Sequence, residues 1–134
     1  EKLEKQAKDL GIGDDVIFEG RVQNHKLPEI LSSFDVFVAL SRSESFGVAV
    51  VEAMACQCPV IVSDAPGFVE IVEDGINGLI VPRENAVAAA EAMERLFLDD
   101  RLRLTLGTNG RERVEKMYDW QKNVDTMIAL YQQV

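Results

Sequence analysis

The sequence predicts an α/β fold: a parallel sheet of about four strands with helices on both of its faces. Short apolar runs alternate with longer segments whose apolar residues recur at helical spacing. Residues 36–40 are wholly apolar, as expected for a strand that is covered on both faces. Most of the apolar runs are separated by enough chain for a crossover helix, and such crossovers join parallel strands with right-handed connections.

The first part of the chain is predicted to contain two helices around one strand. Residues 2–10 carry apolar side chains on one helical face, and the helix stops at Gly11. A short strand follows at residues 16–19. The second helix covers residues 27–34, with Pro28 just inside its start, where a residue without an amide hydrogen is tolerated.

The middle of the chain is predicted to alternate strand and helix. The strand at residues 36–40 leads through a polar loop at 41–45 into a helix at 46–55. A buried strand at residues 60–62 follows and ends in a turn at 64–67, where Asp, Pro and Gly are typical turn residues.

The last part of the chain is predicted to be mostly helical. A short helix at residues 68–72 and a strand at 78–81 precede three helices, at residues 84–98, 101–118 and 120–131. We expect Trp120, Met127 and Tyr131 to pack the last helix against the core.

The composition narrows the classes of function. The formal net charge is −9, from 23 acidic and 14 basic residues. This balance argues against nonspecific nucleic-acid binding, which needs clustered Lys and Arg. It does not exclude an anionic ligand, since backbone amides at a helix amino end can hold a phosphate. We expect one domain, residues 1–134, in which residues 84–134 supply the carboxyl-terminal helices.

The same sequence predicts a cytoplasmic protein without a metal site. No run approaches the roughly 20 apolar residues that span a bilayer, and the charged amphipathic amino end differs from a signal peptide. Cys56 and Cys58 lie in an apolar stretch and are expected to be reduced core thiols. A single histidine makes a four-ligand zinc site improbable.

A ligand site is expected where the carboxyl ends of the parallel strands meet. Three loops lie at that edge, residues 20–25, 41–47 and 63–68. In the second loop, Glu44 directly precedes a helix, and Gly47 lets the backbone approach a ligand. The amides of Phe46, Gly47 and Val48 would be first-turn donors without helical partners, and the helix dipole adds to their attraction for an anion.

Glu52 lies on the second turn of that predicted helix, among apolar neighbours. A carboxylate there is costly unless something binds it, and it can accept two hydroxyl hydrogen bonds at once. The spacing suggests a nucleoside diphosphate sugar, with the sugar on Glu44, the diphosphate on the amides and the ribose on Glu52. Spacing alone leaves another reading open, in which Glu44 caps the helix and Glu52 is a buried acid bonded to backbone.

The two acids, with seven residues between them, resemble the E-x7-E signature of family-4 retaining glycosyltransferases of the GT-B fold. Further motifs match that family in order and spacing over nearly the whole chain: Gly20-Arg21-Val22, Asp35-Val36-Phe37-Val38, Pro59-Val60-Ile61, Pro66-Gly67-Phe68-Val69-Glu70-Ile71-Val72, Asp74-Gly75 and Asn77-Gly78-Leu79-Ile80-Val81-Pro82. The resemblance implies the Rossmann-like, nucleotide-sugar-binding carboxyl-terminal domain of such an enzyme. Gln57 departs from the family, which usually has glycine at that position.

The resemblance also implies a role for each matching residue. Glu44 matches the catalytic carboxylate that binds the donor sugar, Glu52 the acid that binds ribose, and Val22 a position that touches the base through its backbone. The loop that contacts sugar and diphosphate comprises Ser45, Phe46, Gly47 and Val48. The implied reaction transfers a hexose from a UDP-, GDP- or ADP-sugar with retention, without a metal or other cofactor.

Family members begin this domain with a strand, a helix and a second strand, which carry an Arg and a Lys that neutralise the donor diphosphate. A separate amino-terminal GT-B domain binds the acceptor. The resemblance therefore implies a domain truncated at its amino end, inactive by itself because charge stabilisation is often the largest catalytic contribution. It also implies an open sheet edge. We expect either a rearranged four-stranded sheet that pairs residues 16–19 with 36–40, or a homodimer formed by strand exchange. The whole enzyme is expected in the cytoplasm or peripheral to the membrane.

Other functions stay open at this point. A noncatalytic nucleotide-binding or structural fragment of the same family would keep the fold without the transfer. A glycoside hydrolase would use Glu44 and Glu52 as its acid pair, which must face each other about 5–9.5 Å apart. That arrangement conflicts with the expected placement of Glu52 on a helix packed against a sheet.

Overall fold

A three-stranded parallel sheet forms the centre of the fold. The computed structural model describes residues 1–118 and 120–133 of the chain. Its strands are β1 (Phe37–Ala39), β2 (Val60–Ser63) and β3 (Leu79–Val81), in the order β1-β2-β3. Both neighbouring pairs are parallel, with Val38 opposite Ile61 in the first pair. The predicted α/β class with a parallel sheet is confirmed.

Each predicted helix is present, with shifted ends. The helices of the described residues are α1 (Lys2–Asp9), α2 (Leu27–Ser32), α3 (Val48–Ala55), α4 (Pro66–Val69), α5 (Ala86–Phe97), α6 (Asp100–Tyr118) and α7 (Trp120–Gln132). Single 3-10 turns lie at Gly13–Asp15 and Asn24–Lys26. None of the helices within this described part of the chain is long and apolar enough to cross a membrane.

Strand β2 is buried on both faces, and its side chains alternate between two hydrophobic clusters. Val60 and Val62 belong to a cluster with residues of α3 and α4, such as Met54 and Phe68. Ile61, between them, belongs to a second cluster with residues of β3, α5 and α6. Because successive strand residues point to opposite faces, helices cover both faces of the sheet, as predicted.

The predicted strand at residues 16–19 is wrong. Val16 has extended backbone angles, with φ −110° and ψ 123°, but within the described residues the sheet comprises only the three strands above. The side chain of Ile17 is 79% exposed, so this apolar residue of the predicted short strand does not pack into the core. The rearranged four-stranded sheet is therefore also wrong, whereas strand exchange between two copies stays a prediction.

The predicted core packing of α7 is wrong where its side chains are described. Met127 is 53% exposed and Tyr131 is 74% exposed. The side chain of Trp120 lies outside the described part of the structure. Among the described side chains of α7, the apolar ones therefore do not form a face that is buried against the core.

A tight turn between α3 and β2 packs against α6. Gln57 adopts the left-handed conformation with φ 59°, which strains a residue that has a β-carbon and suits glycine. Its carbonyl oxygen would lie only 2.3 Å from a β-carbon placed on Gly107 of α6. The missing side chain of Gly107 thus allows the close approach of the two segments.

Two glycines of α6 provide a test of this contact. Gly107→Ala should lower the free energy of unfolding by about 1–3 kcal/mol, because the added methyl group would collide with a backbone carbonyl. Gly110→Ala is the matched control, since its β-carbon would meet its nearest neighbour at an ordinary 3.4 Å. There the better helix propensity of alanine should raise stability by up to about 1 kcal/mol. Urea denaturation of both variants measures the two effects, and equal shifts would contradict the proposed contact.

Cys58 is buried beside the sheet and Cys56 is half-buried, both as free thiols. Burial raises the pKa of the Cys58 thiol from 9.0 to about 11, and Cys56 and Asp35 add to the shift. The unfolded chain therefore loses this proton at a lower pH than the folded chain does. Its contribution to stability is complete below pH 9.0 and is lost as the pH rises towards about 11.

We expect the free energy of unfolding to fall with a slope of up to about 1.4 kcal/mol per pH unit in that window. Denaturant titrations on either side of the unfolded pKa measure the slope. Cys58→Ala should lack this component. An identical pH dependence in the wild type and the variant would disprove the assignment to Cys58.

Candidate functional site

The loop of residues 41–47 lies at the carboxyl edge of the sheet, between β1 and α3. The hydroxyl group of Ser63, at the end of β2, donates to the carbonyl oxygen of Ser41 at 2.5 Å. Ser63 is buried, so this bond ties the start of the loop to the neighbouring strand. The loop is thus placed at the sheet edge where the sequence predicts a site.

Gly47 determines where α3 begins. It adopts the left-handed conformation, with φ 62° and ψ 39°, and the helix starts at Val48. The amide of Gly47 donates to Oε1 of Glu44 at 3.1 Å. Glu44 therefore stabilises the turn that precedes α3, whereas the alternative reading of the sequence had it cap the helix itself. The carboxylate also has a second oxygen, Oε2.

The predicted start of the helix at residue 46 is wrong, which changes the set of first-turn amides. The first intrahelical bond runs from the Val51 amide to the carbonyl oxygen of Gly47 at 3.0 Å. The amides without helical partners are consequently those of Val48, Ala49 and Val50. Phe46 lies before the helix, and its side chain is 78% exposed. The side chains of Val48 and Ala49 are exposed as well, so the helix tip is open.

A close backbone contact holds the second half of the loop. The amide of Gly67, in α4, donates to the carbonyl oxygen of Glu44 at 2.9 Å. A β-carbon on Gly67 would lie 2.2 Å from that oxygen. The loop can approach α4 this closely only because residue 67 is glycine.

A cavity of about 280 Å³ opens between α3 and α4. Four of the predicted site residues line it: Ser45, Phe46, Val48 and Glu52. Glu44 is not among the lining residues, so the structure does not place its side chain in the cavity with Glu52. Glu70, which directly follows α4, also lines the cavity; in the sequence it belongs to the motif at residues 66–72 and was given no role in the site.

Glu52 also borders a second cavity of about 290 Å³, between α2 and α3, whose lining includes Asn24 and Leu27. Glu52 is half-buried and separates the two spaces. Val22, the predicted base contact, is half-buried and lies two residues before Asn24. Val22 is not among the residues that line the second cavity.

The two additional residues, Glu70 and Asn24, were difficult to find from the sequence. Glu70 is three residues after Gly67, and its place in the cavity depends on how closely α4 packs against the loop. Asn24 begins the single 3-10 turn Asn24–Lys26, which is too short to show a periodic pattern in the sequence. Among the described residues, no three His, Cys, Asp or Glu side chains are grouped as metal ligands.

The chain matches the family model described as "Glycosyl transferases group 1" over residues 1–113. D-inositol 3-phosphate glycosyltransferase 1 of Catenulispora acidiphila is 33% identical over 131 residues, which make up 98% of this chain and 31% of that protein. Sucrose-phosphate synthase of Thermosynechococcus elongatus has a TM-score of 0.90 at 37% identity, covering 98% of this chain and 33% of that one. The structure of HepE from Anabaena in complex with UDP and glucose has a TM-score of 0.89 at 25% identity, with coverages of 99% and 36%. The chain thus spans about a third of the length of these proteins.

Gly67→Ala tests the contact that holds the loop. The added methyl group would overlap a backbone carbonyl, so the free energy of unfolding should fall by about 1–3 kcal/mol and the amide resonances of residues 44–48 should shift. Gly13→Ala is the control, because its β-carbon would find its nearest neighbour at 3.5 Å. Thermal unfolding and amide NMR spectra measure both effects. Unchanged loop resonances in Gly67→Ala would show that the contact does not fix the loop.

Proposed function

The chain belongs to the group 1 glycosyltransferases, and from that membership we propose that it forms the nucleotide-sugar-binding part of an enzyme that transfers a hexose with retention of configuration. The donor is a UDP-, GDP- or ADP-sugar. The observation that carries the proposal is the open amino end of α3, where the exposed residues Val48 and Ala49 have first-turn amides without helical partners, beside a cavity lined by Glu52 and Ser45.

The diphosphate of the donor binds at the tip of α3. The amides of Val48, Ala49 and Val50 point out of the helix start, where the dipole favours negative charge. The left-handed conformation of Gly47 orients this first turn. Backbone amides suit this chain because they bind an anion without adding basic side chains to an acidic protein.

Glu52 binds the ribose and Glu44 binds the transferred sugar. Glu52 faces the cavity next to the helix tip, and a carboxylate accepts hydrogen bonds from neighbouring hydroxyl groups. Oε1 of Glu44 holds the amide of Gly47, which leaves Oε2 for a sugar hydroxyl. Glu44 can therefore hold the Gly47 amide and bind the sugar at the same time, and it remains our candidate for the catalytic carboxylate.

The base lies on the far side of Glu52 from the helix tip. Glu52 borders both the α3/α4 cavity and the α2/α3 cavity, so a ribose held there can direct its base towards Asn24 and the backbone of Val22. The structure of HepE in complex with UDP and glucose supports this class of ligand. No metal is needed in this scheme, since the diphosphate binds to the amides at the positive end of the α3 helix dipole.

We propose that the complete transfer needs groups outside this chain. The chain spans about a third of the length of its relatives, and in the proposed site it is the amide dipoles of α3 that stabilise the developing negative charge. Cationic groups that stabilise a leaving diphosphate often supply several kcal/mol of the barrier reduction. The purified chain should therefore bind nucleotide but show no transferase turnover. A noncatalytic nucleotide-binding module would share the binding, so activity of the whole enzyme separates the two functions.

Calorimetry with the purified chain tests the proposed ligand and the role of Glu52. We expect UDP, GDP or ADP, or their sugar conjugates, to bind more tightly than inorganic pyrophosphate. Glu52→Gln should weaken nucleotide binding by roughly 10- to 100-fold, the effect expected for hydrogen bonds to a charged acceptor. Glu91→Gln, on an exposed part of α5, is the matched control and should leave the affinity unchanged.

A nucleotide without ribose hydroxyls makes the test specific. If Glu52 binds the ribose, the 2′,3′-dideoxy nucleotide should bind the wild type more weakly but should lose little further affinity for Glu52→Gln. Equal losses for both proteins would mean that Glu52 acts elsewhere. A folded chain that binds none of the nucleotides or nucleotide-sugars would refute the proposed function.

A further inference from the structure

Three carbonyl groups of the loop at residues 41–47 accept hydrogen bonds from the last residue of β2 and from residues that follow β2 and β3. The donors and acceptors are Ser63 Oγ to Ser41 O at 2.5 Å, Arg83 Nη1 to Arg42 O at 3.4 Å, and Gly67 N to Glu44 O at 2.9 Å. Two of the donors are a buried hydroxyl group and a main-chain amide. The third donor, Arg83, is the only long side chain among them, so another residue has to hold it in place.

Asp64 supplies that support. Its Oδ1 accepts from the main-chain amide of Arg83 at 3.0 Å and from Nε of the same residue at 2.9 Å. The guanidinium group is planar and rigid, so holding Nε also orients Nη1. Asp64 follows β2 directly and Arg83 follows Pro82 at the end of β3. The pair thus joins the ends of two strands and directs Nη1 towards the loop.

The neighbouring ion pair between Arg42 and Glu84 is less suited to hold the loop in place. Glu84 Oε1 lies 2.6 Å from Nε of Arg42, but the two side chains are 63% and 83% exposed. Exposed ion pairs of this kind contribute little and are screened by salt. The contact of Arg83 with the main chain of Arg42 is better suited to hold the loop, because it acts on the backbone itself.

We propose that Arg83, held by Asp64, is a positioning residue that fixes the loop and thereby sets the affinity of the α3 tip for the diphosphate of a nucleotide. The inference rests on the proposed function. The loop carries Glu44, whose carboxylate holds the Gly47 amide, and Gly47 sets the first turn of α3. Releasing the Arg42 carbonyl would let these groups move away from the ligand without unfolding the sheet.

Arg111 provides a closely matched control. Its Nε donates to Glu115 at 2.8 Å and its Nη1 donates to the carbonyl oxygen of Ala55 at 3.0 Å. The side chains of Arg83 and Arg111 are 48% and 49% exposed. Each arginine therefore joins one carboxylate to one main-chain carbonyl, but Arg111 acts at the opposite end of α3.

The experiment compares UDP binding by calorimetry and exchange of the Gly47 amide by NMR. Arg83→Ala should weaken UDP binding by about 3- to 10-fold, the range that one hydrogen bond produces, and should speed exchange of the Gly47 amide. Asp64→Ala should have a similar effect, and the double variant should lose no more than either single one, because Asp64 acts through Arg83. Arg111→Ala should leave both readouts unchanged even if its melting temperature falls.

Each outcome bears on one part of the inference. If the wild type binds UDP and Arg83→Ala binds it equally well, the positioning role is overturned while the proposed function stands. Additive losses, or an unchanged Gly47 exchange rate, would show that Arg83 acts in another way and would also overturn it. If the wild type binds no nucleotide, the proposed function fails, and the Gly47 exchange rate still decides whether Arg83 holds the loop.

Discussion

The candidate site depends on the close approach of two backbone segments, the carbonyl of Glu44 and the amide of Gly67. Their hydrogen bond measures 2.9 Å, and the space between them excludes even a methyl group. This contact brings α4 beside the loop, and the cavity between α3 and α4 follows from it. Glu70 reaches the cavity for the same reason. A single glycine, Gly67, thus determines both how the loop packs at the sheet edge and the shape of the cavity between α3 and α4.

Structural elements whose burial shows as a pattern along one segment could be predicted from the sequence. The apolar run at β2 predicted a strand covered on both faces, and its side chains do alternate between two clusters. Residues 16–19 have a similar apolar character, but a strand also needs a partner with free hydrogen-bonding groups, and periodicity does not supply that information. The fourth strand was therefore predicted from a necessary but insufficient signal.

The candidate site shows the same difference between features set by residues that are close in the chain and features set by tertiary contacts. The E-x7-E spacing placed Glu44, Ser45 and Glu52 around one helix start, because all three positions are close in the chain. The exact start of α3 depended on the left-handed turn at Gly47, which moved the useful amides two residues along the chain. Glu70 lies within a motif that matches the family, but its place in the cavity, like that of Asn24, depends on tertiary packing. Glu52 is a proposed ribose ligand from the sequence, and its position between two cavities was visible only in the fold.

The charge around the site explains why a bare phosphate is a poor candidate ligand. Glu52 and Glu70 line the same cavity, and both would repel an anion that filled it. The amides of α3 favour the anion only within about one turn of the helix tip. A ligand that places its phosphates at the tip and hydroxyl groups along the cavity satisfies both conditions, since hydroxyl groups donate to carboxylates. In the proposed site, the acidic residues would therefore disfavour small anions and favour a diphosphate ligand that also carries hydroxyl groups.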